Sequence, residues 1–307
     1  VSTEHDVSEM SAKSVIDNLN KEKYEIHEIY INKYGKWYEV KDNEVEEIYN
    51  IIWTLKELDV VFPVLHGLGG EDGTIQGMLE MMQVPYVGCG VLASSVGMDK
   101  AYTKIVFNKA GIPQAPYVYV KKKDNEYVIV DENFDEEEFK LEKIIEKLKF
   151  PMFVKPSNSG SSVGVKKATN KEELKMAIEN AGQYDDKILV EEIIPNMTEL
   201  NCSVLGSNSY AEASVIEQVM GHDEILSFKD KYIGNGAKKG SAKKSVPSKG
   251  MASASRIIPA NIPEKLTKEI EETSKKAFKV LGASGVVRID YLYDKKSKKY
   301  YVNELNT

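Results

Sequence analysis

Val287-Arg288-Ile289-Asp290-Tyr291 and, beyond a turn at Asp294 to Lys298, Tyr301-Val302-Asn303-Glu304-Leu305-Asn306 read as the two strands of a hairpin. Successive side chains on a strand point to opposite faces, so Arg288 and Asp290 share one face of their strand, and Glu304 and Asn306 share one face of theirs. If the two faces coincide, a guanidinium and three oxygen ligands converge, and hard oxygen ligands are what Mg²⁺ bound to substrate phosphates takes. The alternative is a polar, solvent-facing side of an antiparallel sheet, and the hairpin alone leaves both open.

Upstream, Phe150 to Val165 reads as a strand ending at Lys155, followed by Pro156-Ser157-Asn158-Ser159-Gly160-Ser161-Ser162-Val163-Gly164. Small residues let backbone N–H groups and hydroxyls approach a phosphate chain. The sequence has neither G-x-x-x-x-G-K-[ST] nor a strand followed by G-x-G-x-x-G, so it is neither a Walker loop nor a dinucleotide fingerprint. A second glycine-rich loop, His66-Gly67-Leu68-Gly69-Gly70-Glu71-Asp72-Gly73, follows an apolar run, Val60 to Leu65, that reads as a buried strand. A helix over Ile75 to Met82 and a short strand over Pro85 to Gly88 complete the unit of a doubly wound sheet, which binds ligands at the carboxyl ends of its strands. Lys229 to Gly250 carries seven lysines and four glycines with almost no aliphatic residue, so it reads either as a surface loop or as a lid closing on an anionic substrate. Asp131 to Leu148, with eight acids, reads as a solvated amphipathic helix.

The 307 residues divide into blocks 1–97, 98–186 and 187–307, an α/β chain with 42% apolar and 29% charged residues, enough to bury a core. A net charge of −7 disfavours nucleic acid as a partner, so a bound anion must be held locally. No apolar stretch approaches the roughly 20 residues of a membrane span, and no secretory segment is evident, so the expected location is cytoplasmic, away from membranes. Cys89 and Cys202 form no metal or disulfide motif and read as buried free thiols.

Taken jointly and in order, H-G-L-G-G-E-D-G-T-I-Q-G, M-D-K-A-Y-T-K, V-K-P-S-N-S-G-S-S-V-G-V, V-E-E, K-D-K-Y, V-R-I-D-Y and N-E-L-N-T resemble the D-alanine-D-alanine ligases of the ATP-grasp superfamily. The resemblance covers nearly the whole chain. It implies an ATP-grasp fold (α+β in its ATP-binding part) behind an N-terminal doubly wound pre-ATP-grasp domain. The first block would be that domain, the second the central ATP-grasp subdomain, and the third the C-terminal subdomain with an omega-loop lid over 227–250. It further implies a homodimer that joins two D-alanines with ATP and Mg²⁺ or Mn²⁺, through an acyl phosphate, for peptidoglycan precursors.

By this resemblance Lys104 and Lys155 hold the nucleotide phosphates, Glu191 the adenine amino group and Glu199 the ribose hydroxyls. Asp290, Glu304 and Asn306 bind the metal, Ser161 and Ser162 cover the phosphates, and Lys231 on the lid reaches the γ-phosphate. Arg288 stabilises the oxyanion, and His66 contacts substrate. The loop that holds the first D-alanine's ammonium usually reads E-H-E-V-S and here reads Glu4-His5-Asp6-Val7-Ser8, so Asp6, one methylene shorter, takes that role with Ser161 and Tyr232. Tyr232 favours D-alanine over D-lactate as second substrate; a D-alanyl-D-serine or D-alanyl-D-lactate ligase, or a nucleotide binder with little turnover, are the alternatives. The family begins with a strand before this loop and continues past N-T with a helix, so residues are expected beyond both ends.

Overall fold

The computed structural model describes residues 4–42, 44–124, 126–160, 163–220 and 255–307. In the first block Glu4 stands at the N-cap of α1 (His5–Asn18), which turns Val7 and Ser8 inward. The antiparallel sheet β1 (Glu28–Ile31), β2 (Trp37–Lys41) and β3 (Glu44–Glu47) follows, then α2 (Ile51–Lys56), whose Trp53 N–H donates to the Asn50 side chain. The helices α3 (Thr74–Met82) and α4 (Val91–Met98) complete the block, and Leu55, Ile75, Leu79, Met82 and Val84 form its small core.

One expectation changes here. The run Val60 to Leu65 is not a buried strand: Val60 and Phe62 are about half exposed, at 47% and 50%. Its pairing is a single parallel bridge, Val61 to Tyr86, which among the described residues is what represents the doubly wound layer.

The central sheet is antiparallel throughout. After α5 (Lys100–Lys109) come β4 (Tyr117–Lys123), β5 (Glu126–Val130), β6 (Glu136–Glu138), α6 (Leu141–Lys147), β7 (Met152–Pro156), β8 (Lys166–Ala168), α7 (Lys171–Ala181) and β9 (Lys187–Glu192), with strand order β6-β5-β4-β9-β7-β8. The sequence of β9, K-I-L-V-E-E, is apolar where a half-exposed strand would alternate, and accordingly it lies between β4 and β7 with Ile188, Leu189 and Val190 fully buried. β9, which lies beyond residue 186, thus pairs within the central sheet. The acidic run is not one helix: Asp131 accepts from the Asn133 and Asp135 N–H groups, a turn that breaks the helix and leaves β6 and the short α6. On α7, Leu174, Ala177, Ile178 and Ala181 form the inward stripe, and the Asn170 side chain caps the Glu173 N–H.

The last block contains β10 (Met197–Gly206), β11 (Ala211–Ala213), β12 (Glu217–Met220), β13 (Ser255–Ile257), α8 (Glu264–Val280), β14 (Gly285–Asp294) and β15 (Lys299–Asn306). The sheet runs β13-β12-β10-β14-β15, with β11 beside β10. Leu266, Ile270, Ala277 and Phe278 of α8 pack with Leu200, Val204, Val287, Ile289 and Tyr291. Phe107 of α5 and Cys89 and Ala93 from the first block join this same core, which ties α5 to the C-terminal sheet. Both cysteines are free and buried, and among the described residues no helix is long and apolar enough to cross a membrane.

Candidate active site

The hairpin register answers the question its sequence raised. Arg288 lies directly opposite Asn306, and Asp290 directly opposite Glu304, so the two polar faces are one face. The opposite face, Val287 and Ile289, is fully buried in the C-terminal core, which forbids a one-residue slip that would exchange the faces. Arg288 Nε donates to Asp290 Oδ1 at 2.7 Å and Nη2 to Oδ2 at 2.9 Å, and Asn306 Nδ2 donates to Oδ2 at 3.2 Å. Together Asp290, Glu304 and the Asn306 carbonyl form an all-oxygen donor set, the chemistry that suits a Mg²⁺-type cation.

This face looks into a cleft between the sheets, lined also by Glu4, Lys104, Gly160 and Glu191. Three elements bring three charges together at its floor. Lys104 of α5 is 3% exposed and Glu191 of β9 is 5% exposed. Glu191 Oε1 lies 2.6 Å from Lys104 Nζ, and Oε2 pairs with Lys155 Nζ on β7. Burial opposes ionisation of Glu191, but the two ammonium groups outweigh it and hold the carboxyl at about 2. Burial likewise draws Lys104 below the usual lysine range, against the pull of Glu191. The 2.6 Å contact satisfies distance but not hydrogen-bond direction, and Lys104 Nζ is buried without a directed acceptor. Two cations against one anion leave the cluster one positive charge in excess, and an uncompensated buried charge costs several kcal/mol.

Beside it, sharing Lys155 and Glu191, is an apolar slot lined by Phe153, Ile194, Met197 and Leu292. Glu199 lies opposite Leu292 on β10, two residues before Asn201, which lies opposite Asp290, so Glu199 shares the sheet face that carries Asp290.

The N-terminal loop corrects one expectation. Asp6 does not reach the cleft: its side chain is 76% exposed and its Oδ1 lies 2.8 Å from Lys33 Nζ. Glu4 reaches it instead, 6% exposed and in the cleft lining. The cause is helix phase, because residues two apart on a helix lie about 200° apart around its axis. Ser8, inside α1, donates through Oγ to the Glu4 carbonyl and accepts from the His66 N–H, which fixes that phase. Gly160 makes the room: a Cβ there would lie 2.3 Å from Glu4 Oε2. Reading Val7 and Ser8 as the buried face of a helix starting at His5 would have singled out Glu4 from the sequence.

His66 stands behind the cleft, with Nε2 2.8 Å from Ser11 Oγ and Nδ1 3.7 Å from Glu71, which lines the cleft. The Glu71 carboxylate raises the imidazole pKa above its ordinary value, against the effect of burial. Ser161, Ser162, Lys231 and Tyr232, and the whole of the expected lid over 227–250, lie outside the described residues.

Comparison with known proteins gives one family. The family model "D-ala D-ala ligase C-terminus" matches residues 106–307, and "D-ala D-ala ligase N-terminus" matches 1–54 and 50–89. A D-alanine-D-alanine ligase of Acetivibrio thermocellus is 42% identical, over all of this chain and 84% of its own length, and one of Caldicellulosiruptor bescii is 39% identical over the same shares. Among solved structures, the VanG D-Ala:D-Ser ligase of Enterococcus faecalis superposes with a TM-score of 0.76 at 30% identity, covering all of this chain and 87% of that one.

Proposed function

The chain belongs to the D-alanine-D-alanine ligase family, and from that premise we propose how its cleft performs the ATP-dependent joining of two D-alanines for peptidoglycan precursors. The observation that carries this reading is the buried Lys104–Glu191–Lys155 cluster, with its excess positive charge and its under-satisfied ammonium. Lys104 and Lys155 meet the phosphates, the apolar slot takes the flat adenine, and Glu199 takes the ribose hydroxyls. Asp290, Glu304 and Asn306 hold Mg²⁺ or Mn²⁺, which when bound neutralises charge on the phosphates.

Phosphoryl transfer is mainly positioning and charge neutralisation, and this is what the lysines supply. The carboxylate of the first D-alanine attacks the γ-phosphorus, giving an acyl phosphate and ADP. The amine of the second D-alanine attacks the acyl carbon, and phosphate leaves. Arg288 faces the oxyanion of the tetrahedral intermediate that the amine forms on adding to the acyl carbon, before phosphate leaves, where a preorganised donor has the most effect. Glu4, rather than Asp6, holds the ammonium of the first D-alanine: it is a buried carboxylate whose charge a bound cation offsets.

Purified protein with ATP, Mg²⁺ and D-alanine is expected to release phosphate in step with dipeptide; hydrolysis of ATP that ignores D-alanine would refute the reading. The likeness to a D-Ala:D-Ser ligase gives D-serine a place as competing second substrate, resolved by the mass of the product. Glu4→Gln is expected to raise the KM for D-alanine about a hundredfold, since it strips a buried charge from its partner. Asp6→Asn changes it by less than about fivefold, because an exposed pair contributes at most about 1 kcal/mol. The reverse order of effects would return the ammonium to Asp6. Precursor synthesis sets the enzyme in the cytoplasm, and family likeness supports a homodimer, which light scattering tests.

A further inference from the structure

Ser157 stands just past the end of β7 and is fully buried, yet its N–H, its carbonyl and both roles of its hydroxyl have partners. Its N–H donates to the Lys187 carbonyl on β9 at 2.8 Å. The other bonds go to the first turn of α5: the hydroxyl donates to Asp99 Oδ1 at 2.6 Å and accepts from the Ala101 N–H at 2.8 Å, and the carbonyl accepts from the Lys100 N–H at 3.2 Å. Asp99, 6% exposed, accepts from the Tyr102 N–H through the same Oδ1 and pairs through Oδ2 with Lys187 Nζ. Lys187 Nζ also lies 5.1 Å from the centre of the Tyr102 ring. We propose that Asp99 is a positioning residue for the nucleotide, which with Ser157 and Lys187 ties α5 to β7 and β9 and so holds Lys104 against Lys155. This rests on the reading of the cleft as an ATP site.

The tie joins a second time the three elements that carry the charge cluster. Asp99 lies five residues before Lys104, Ser157 two after Lys155, and Lys187 four before Glu191. Along their elements these separations are about 8, 7 and 13 Å. Among the described residues that line the cleft and its apolar slot, none belongs to the tie, so it acts on the site from outside. The ladder between β7 and β9 already sets their register, with Lys155 opposite Leu189. The position of α5 needs another cause, because this helix belongs to two cores: Phe107 packs with the C-terminal sheet, while Ala101 meets Tyr119 and Val130 of the central one. Apolar packing is non-directional, so the small contact at Ala101 does not by itself fix sliding or rotation of the helix. Hydrogen bonds are directional, and the first turn of a helix offers N–H groups that have no partner within it. Ser157, from the end of a strand, takes two of these, which sets α5 both along and around its axis. Such precision matters at Lys104, because misplacing a positioned group by about 1 Å costs about 10²-fold.

The test is calorimetric titration of ADP with Mg²⁺ into the full chain, with thermal unfolding followed on the same samples. Asp99→Ala and Ser157→Ala each break the tie and are expected to weaken ADP binding about tenfold to a hundredfold. Because both break one tie, the double variant binds ADP as the weaker single variant does, not with the product of the two losses. Leu174→Ala, in the apolar core of the central sheet, is the control for lost stability: it unfolds at lower temperature and keeps its ADP affinity within about threefold of wild type. A loss below about threefold in the single variants, a multiplied loss in the double variant, or an equal loss in Leu174→Ala would overturn the proposal. Should the alanine variants of the tie fail to fold, Asp99→Asn decides, since it keeps an oxygen for Ser157 and loses the charge that Lys187 meets. A loss above about threefold then supports the tie, and a smaller one overturns it. A wild-type chain that binds no ADP removes the ATP reading itself, whereas wild-type affinity in the variants removes the proposal alone.

Discussion

Arg288→Met lowers turnover about 10²- to 10³-fold, the loss seen when one preorganised oxyanion donor is removed. The guanidinium carries five N–H donors in a fixed fork, of which those on Nε and Nη2 reach Asp290. That contact also sets its direction, because Asp290 stands two residues along the same strand, with a register shift in the β14–β15 pairing immediately after it. The donors are therefore in place before charge develops, and little reorganisation is needed during the reaction. Arg288→Lys keeps the charge and loses the planar fork, so it recovers only part of the rate. Steady-state kinetics with ATP and D-alanine varied separately check this: kcat falls while the KM for ATP changes little. A variant with normal kcat would remove Arg288 from the chemical step.

The second large effect is on stability. Phe107→Ala is expected to cost about 3–5 kcal/mol, since the side chain is fully buried and its removal leaves a cavity. This is a large share of the roughly 5–15 kcal/mol that holds a typical domain folded. Phe107 joins α5 to the C-terminal core, and it lies three residues from Lys104 on adjoining positions of the helix. Loosening it therefore also displaces a lysine of the charge cluster, and the KM for ATP rises together with the loss of stability. Thermal unfolding should fall by roughly 10 °C. A loss below about 1 kcal/mol would mean that α5 is held by other contacts.

Much of the architecture could be read from pattern alone. The helix expected over Ile75 to Met82 stands as α3, and the strand expected to end at Lys155 stands as β7, which ends one residue later. The hairpin was legible from alternation and from its turn. The acidic run was misread because composition favours a solvated helix there, whereas one aspartate side chain, hydrogen-bonded to the N–H groups after it, made a turn. Val60 to Leu65 was misread because apolar composition does not reveal whether a neighbouring strand covers it.

What the sequence determined by itself was local periodicity and the order of the motifs, because both depend on residues close together in the chain. Tertiary structure alone decided three things. It joined the two polar faces of the hairpin, because register is set by a turn and a buried opposite face acting together. It sent Glu4 inward and Asp6 outward, because helix phase follows from what Ser8 and Gly160 touch. It brought Lys104, Lys155 and Glu191 into contact from three separate elements. The charge state of such a cluster is a property of the buried space the elements enclose, and residue order does not record it.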